Sequence, residues 1–251
     1  MRLLKSGFVT KNHVRLTLTM IHVNIVIPMN GLIPDNNPTN KRRYGGVLPE
    51  DRQRQRRVKL IDGAIEVFGT KGFHAATVRE VCVAAHLTER YFYESFKTLP
   101  ELFIAVYAHL REELMTLTLA AMAQAEPTPL GLLEPAMRVF LVFIRDDPRR
   151  GRIMLVDSLG IDNEVAALSG ATARDYSEML KQHLGRMVPK ATAVGDISLD
   201  LLAEGMIGMN VLLAARWMQD GFAEPIDKVV RTNLLPYQGL MALMDMQKPA
   251  P

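Results

Sequence analysis

Residues 77–96 read TVREVCVAAHLTERYFYESF, two short helical patterns interrupted at Ala85-His86-Leu87. Thr77-Val78-Arg79-Glu80 is a capping box: the threonine hydroxyl and the glutamate carboxylate can each take up a backbone N–H that a helix start leaves unpaired. Val81, Cys82 and Ala85 follow on its inner side. Thr88 then suits an N-cap, opening a compact aromatic helix, Tyr91-Phe92-Tyr93-Glu94-Ser95-Phe96. Phe92 and Phe96, four residues apart, share one face. That leaves Thr88, Glu89, Arg90, Tyr91, Tyr93 and Glu94 at the leading and outer edge.

Upstream, Val58, Ile61, Ala64, Ile65 and Phe68 repeat at helical spacing and end at Gly69 to Gly72, where glycine can close a helix. Phe92 and Phe96 are expected to pack on this face. Downstream, Thr98-Leu99-Pro100-Glu101 is a second capping box with proline in the first turn. It starts a long helix through Leu102, Val106, Leu110, Leu114 and Leu117 toward Gln124. Pro127 and Pro129 break it, and further helices are expected near 130–145, 149–159, 163–187, 198–220 and 225–246. Strand-like alternation is nearly absent, so the fold class is all-α.

The last two helices carry Leu201, Leu202, Met206, Met209, Leu212 and Leu213, and Val229, Val230, Leu234, Leu240, Leu243 and Met244. Faces this apolar need burial against more than one neighbouring helix. Before the helices, residues 1–50 lack helical periodicity and are rich in breakers, including Pro28, Gly31, Pro34 and Pro38. They read as an unstructured leader, and translation beginning at Met20 or Met29 is one expectation for it. Lys41, Arg42, Arg43, Arg52, Arg54, Arg56, Arg57 and Lys59 form a basic arm leading into the first helix, suited to phosphate or minor-groove contact. The expected organisation is leader and arm over 1–50, a three-helix domain over 51–103, and a larger helical domain over 104–251.

With 48% hydrophobic and 23% charged residues in 251, most of the chain should fold. A formal charge of +3 points only weakly to an acidic partner. One cysteine, Cys82, excludes an intramolecular disulfide and a thiolate zinc site. The histidines at 13, 22, 74, 86, 109 and 183 share no helical turn, so neither metal nor cofactor is expected. The apolar run 14–27 is interrupted by Arg15, His22 and Asn24 and falls short of the roughly 18 residues a spanning helix needs. A cytoplasmic protein without a membrane segment is the expectation.

Two short helices joined by a tight turn suit the major groove, which admits a helix and exposes base edges to its side chains. The stretches LIDGAIEVFGTKGFHAATVREVC and LTERYFYESF, followed by ELFIAVY, resemble the DNA-binding domain of the TetR/AcrR family from Arg57 to Tyr107. RRYGGVLPEDRQRQRR resembles the arm found in a branch of that family. The resemblance implies a homodimeric transcriptional regulator that reads a pseudo-palindromic operator in double-stranded DNA and is released by a small-molecule effector, acting as a repressor. By matching position, Thr77, Tyr91 and Tyr93 would touch the DNA backbone, and Arg79, Glu89 and Arg90 would face base edges. Thr88 joins them at the leading edge. The sequence departs from the pattern where His86 replaces the usual turn glycine and Leu99 the usual lysine; Lys97 is the substitute phosphate contact.

The apolar faces of the last two helices would pair across the dimer axis. An adaptable cavity for an apolar or amphipathic effector is expected among Phe140, Phe143, Met154, Met179 and Met206, with Asp157, Tyr176, His183 and Asn210 as orienting polar groups. Two rival readings remain: a dimeric binding or adaptor protein that kept the fold but lost operator recognition, and a helical enzyme. No phosphate-cradling loop, nucleophile–base pattern or cofactor motif favours the enzyme.

Overall fold

The structure, a computed structural model, describes residues 13–15, 26–28, 49–159, 161, 163–187, 193–194 and 197–246. It divides into two units, Met1–Leu48 and Pro49–Pro251. In the first, β1 (His13–Arg15) pairs antiparallel with β2 (Val26–Pro28), Val14 opposite Ile27. The breaker-rich reading did not anticipate this pairing. Lys41, Arg42 and Arg43 lie outside the described residues.

The second unit is helical: α1 (Pro49–Lys71), α2 (Val78–Ala84), α3 (Glu89–Ser95), α4 (Leu99–Ala123), α5 (Pro129–Asp146), α6 (Pro148–Gly151), α7 (Asn163–Met187), α8 (Leu199–Gln219) and α9 (Ile226–Met246). One two-stranded ribbon, Ala193–Val194 with Ile197–Ser198, precedes α8. The first helix starts earlier than the apolar repeat suggests. Pro49 is preorganised for a helical first turn, and Glu50 and Asp51 there complement the helix dipole. Arg52, Arg54, Arg56 and Arg57 of the expected basic arm therefore lie within α1.

Leu60, Ala64, Val67 and Phe68 of α1 enter a continuous core with Val81, Cys82, Phe92, Phe96, Phe103, Val106 and Leu110. The Cys82 thiol is pushed up from its ordinary value by burial, and then by nearby Glu89, which keeps it a core group. Gly63 allows α1 and α2 to meet. A Cβ there would lie 2.8 Å from the Ala85 backbone nitrogen and 2.9 Å from the Val81 carbonyl oxygen. Beyond this head, α4 packs on α5, α7 on α8, and α5 on α9.

The expected helix over 149–159 is instead three segments: one α-helical turn (α6), a π-helical turn over Arg152–Val156 and a 3-10 turn over Asp157–Leu159. Ile153, Met154 and Leu155 are all buried. A straight amphipathic helix advances about 100° per residue and cannot hold three consecutive side chains on one inner face. The wider turn goes with neighbours on several sides, including α1, α4 and α8. Among the described residues, α8 is long and apolar enough by length and composition to cross a membrane. Here it is a packed helix of the second unit, with Ala203, Met206, Ala214 and Trp217 in the core.

Candidate nucleic-acid interface

Seven residues cannot hold a helix unaided, because nucleation costs more than one turn of hydrogen bonds returns. Helix α3 is held by its inner face. Phe92 and Phe96 are 0% and 1% exposed, and burying each contributes about 1.5–3 kcal/mol. Their rings lie 6.1 Å apart, and Tyr93 meets Phe92 edge-on at 5.2 Å. Phe68 shares the same core but places its ring against Phe73 and Phe103.

The turn before α3 closes through Leu87 N–H to the Cys82 carbonyl at 2.9 Å and His86 N–H to the Val83 carbonyl at 3.1 Å. His86 has φ 53, the left-handed conformation that glycine takes without penalty. Histidine occupies it, so the turn survives the substitution. The Thr77 capping box is present in full: Glu80 N–H donates to Thr77 Oγ1 at 3.3 Å and Thr77 N–H to Glu80 Oε2 at 3.0 Å. Lys71, hydrogen-bonded to Glu80, and then Thr77 hold the Glu80 carboxyl below its ordinary value.

The other two caps differ from expectation. Thr88 occupies the N-cap, but its side chain makes no cap hydrogen bond. The Thr98 hydroxyl accepts from Glu101 N–H at 3.2 Å, while the Glu101 carboxylate accepts from Lys97 N–H at 2.7 Å, one residue before the box position.

The structure puts Thr77, Arg79, Thr88, Glu89, Arg90, Tyr93 and Lys97 at the surface, with Tyr91 half-buried beside them. Arg90 is 84% exposed and donates Nε–H to Glu94 at 3.0 Å. The edge opposite the two phenylalanines is thus an outward array of Thr88, Glu89, Arg90, Tyr93 and Glu94, with Tyr91 half-buried among them. Such groups can meet phosphate oxygens and base edges.

The sequence places Arg56 and Arg57 in the basic arm, a reading that does not anticipate their contact with α3. The Arg57 guanidinium lies 4.1 Å from the Phe96 ring centroid and donates to the Ser95 carbonyl at 3.0 Å. Arg56 lies 4.5 Å from the Tyr91 centroid and 3.6 Å from Glu94. Both reach α3. A usable signal existed: with α1 starting at Pro49, Arg57, Leu60, Ala64 and Phe68 share one helical stripe.

The expected ligand residues divide. Phe143, Met154 and Met206 are in the core, with Phe140 and Tyr176 packed against it. The Phe143 ring carries the Arg150 guanidinium at 4.3 Å, and Met179 is half-buried. Asn210 is buried and donates Nδ2–H to the Tyr237 hydroxyl at 2.6 Å. Asp157 serves a different purpose, accepting from the Phe73 backbone N–H at 3.0 Å. The His183 side chain lies outside the described residues. The hydroxyls of Tyr176 and Thr118 are buried beside each other, with no further hydrogen-bond partner among the described residues. Burial pushes the Tyr176 phenol up to about 12. A surface concavity of about 460 Å³ lies elsewhere, lined by Arg138, Asp227, Val230, Arg231 and Leu234 of α5 and α9.

Residues 60–106 match the family described as bacterial regulatory proteins, tetR family. The chain is 24% identical over 194 residues to the HTH-type transcriptional activator FasR of Mycolicibacterium smegmatis, covering 77% of this chain and 84% of that one. Its fold resembles that of the fatty acid degradation regulator FadR from Bacillus halodurans, with a TM-score of 0.62 at 15% identity, covering 71% of this chain and 92% of that one. FadR from Bacillus subtilis in complex with stearoyl-CoA gives a TM-score of 0.62 at 14% identity over 70% and 95% of the two chains. With the capped α2, the closed turn and the outward edge of α3, residues 60–106 have the form of a TetR-family DNA-binding domain, and the chain is similar over most of its length to transcriptional regulators.

Proposed function

We propose that the protein is a cytoplasmic homodimer that holds a pseudo-palindromic operator with two copies of α3 and changes its hold when an amphipathic, long-chain acyl effector enters the helical half. The exposed edge of α3 backed by buried Phe92 and Phe96 carries the operator part of this reading. Residues 51–103 act as the reading head and 104–251 as the regulatory and dimerisation part. Thr77, Thr88, Tyr91, Tyr93 and Lys97 meet the backbone, while Arg79, Glu89 and Arg90 face bases.

Pairing through α8 and α9 is supported by an unpartnered stripe. Leu201, Gly205, Gly208 and Leu212 follow one line on α8, and Leu235, Gly239 and Leu243 follow one on α9. Leu201, Leu212, Leu235 and Leu243 are 64%, 70%, 62% and 53% exposed. A Cβ at Gly205, Gly208 or Gly239 would meet nothing within 4 Å, so another helix can approach closely.

The effector class is suggested by the stearoyl-CoA in the name of the Bacillus subtilis neighbour. The adjacent buried hydroxyls of Tyr176 and Thr118, bonded to no other group among the described residues, suit the polar end of such a molecule. Release from the operator gives repression. A second reading, activation, is favoured by the FasR relative, which is an activator by name.

The test selects bound fragments from genomic DNA and titrates them with salt and with stearoyl-CoA. Arg90→Ala is expected to cost about 1–3 kcal/mol and to relax base preference. Lys97→Ala should reduce the salt slope by about one. Unchanged operator binding in Arg90→Ala refutes the assigned reading edge, and indifference to stearoyl-CoA refutes the acyl effector. Transcription from the selected promoter separates repression from activation.

A further inference from the structure

The basic residues at the start of α1 look like a DNA arm, yet two of them turn inward onto α3. A planar guanidinium over an aromatic ring is attracted by the ring's negative face. A cation at a helix C-terminus also satisfies a carbonyl that has no partner within the helix. Arg57 does both at one end of α3, through the Phe96 ring and the Ser95 carbonyl. Arg56 repeats the stacking on Tyr91, on the outer edge, and lies 3.6 Å from Glu94. Glu94 in turn accepts from Arg90 at 3.0 Å. A line of charges therefore runs from Arg56 through Glu94 to Arg90, a residue assigned to base contact.

We infer that Arg56 and Arg57 are positioning residues for operator recognition, holding α3 at the angle from which Arg90, Tyr91 and Tyr93 reach the DNA, instead of neutralising phosphates themselves. This rests on the reading of α3 as the recognition helix. A helix of two turns held only by Phe92 and Phe96 can rock about that buried edge. The Arg57 fork fixes its C-terminal end and the Arg56 stack fixes its flank. Lysine cannot substitute, because a point charge on a flexible stem offers neither the fork nor the stacking plane.

The two roles leave different traces in salt. Loss of a phosphate contact weakens all duplexes alike and makes the dependence of log affinity on log salt shallower by about one. Loss of a positioning residue lowers operator affinity while the salt slope and the affinity for unrelated DNA stay where they were.

The experiment measures binding of the full chain, and of its Arg57→Ala, Arg57→Lys and Arg56→Gln variants, to two duplexes across a salt series. One duplex is selected from random DNA by the wild-type protein, and the other is its scrambled counterpart. Arg57→Ala is expected to lose roughly tenfold on the selected duplex, the scale of one charge-assisted hydrogen bond, with an unchanged slope and unchanged scrambled binding. Arg57→Lys, which keeps charge and helix propensity, is expected to lose as much, and Arg56→Gln to lose selectively as well. The inference is overturned if Arg57→Lys binds as wild type, if Arg57→Ala flattens the slope by about one, or if both duplexes weaken equally. A wild-type protein that treats the two duplexes alike overturns the regulator reading itself, an outcome distinct from the other three.

Discussion

The Phe73 backbone N–H donates to the Asp157 carboxylate at 3.0 Å, joining residues 84 positions apart. Asp157 is only 10% exposed and lies 3.9 Å from Arg152. Arg152 also donates to the Thr70 carbonyl at 3.0 Å. Arg149 bridges Asp147 and Glu66. The end of α1 is thus clasped by α6 and the turns that follow it, so the angle of the helix-turn-helix is tied to the helices beyond it. Asp157→Ala leaves the Phe73 amide without its acceptor and removes the carboxylate beside Arg152, which keeps the Thr70 carbonyl. Stability should fall by about 1–3 kcal/mol, read as a lower urea midpoint; an unchanged midpoint contradicts the clasp.

Gly69 sits where α1 touches α6. A Cβ there would lie 2.2 Å from the Arg149 Cβ and 2.8 Å from its Cα. Gly69→Ala gains about 1 kcal/mol in helix propensity, but overpacking against backbone costs about 1–3 kcal/mol. Net destabilisation is expected in chemical denaturation, and a more stable variant would show that α6 moves away freely.

At the turn, His86 pays for its φ of 53. His86→Gly should be neutral or stabilising, by up to about 1 kcal/mol. His86→Val, β-branched, should cost more than that amount. Equal melting temperatures for the three proteins would mean the turn carries no conformational demand.

The acid limb of stability should depend on Asp147. Arg149, hydrogen-bonded to it, holds its carboxyl below the ordinary value against the opposing effect of burial. A depressed carboxyl stabilises the fold fully above its unfolded value, near pH 4. The contribution is lost as pH falls below that and through the folded value. Asp147→Asn should be less stable than wild type at neutral pH and should lose less on acidification. Parallel stability curves from neutral to strongly acid pH would exclude the role.

Leu212→Glu puts a charge in the middle of the exposed α8 stripe. The chain should still fold, because Leu212 is 70% exposed. The sedimenting mass should fall to that of one chain. A wild-type protein already monomeric at micromolar concentration, or an unaffected dimer, argues against pairing through this face.

Helix existence, the two helices around His86 and the division of α3 into a buried and an outward face were legible from the sequence. Capping boxes and apolar spacing act over three to four residues, so a local reading captures them. The start of α1 was missed because charged residues hide the stripe that joins Arg57 to Leu60 and Ala64. The segment expected as a helix over 149–159 is helical throughout, but its changes of pitch were not legible because a segment surrounded on several sides has no single apolar face to show.

The chain's own order of residues determined that it is a helical protein with a helix-turn-helix, because those features arise between close neighbours. Only the tertiary structure decided that Arg57 stacks on Phe96 and donates to Ser95, 38 residues away, and that Asp157 holds Phe73. A cation's partner is set by which surfaces meet when the core closes, and no local spacing records that meeting.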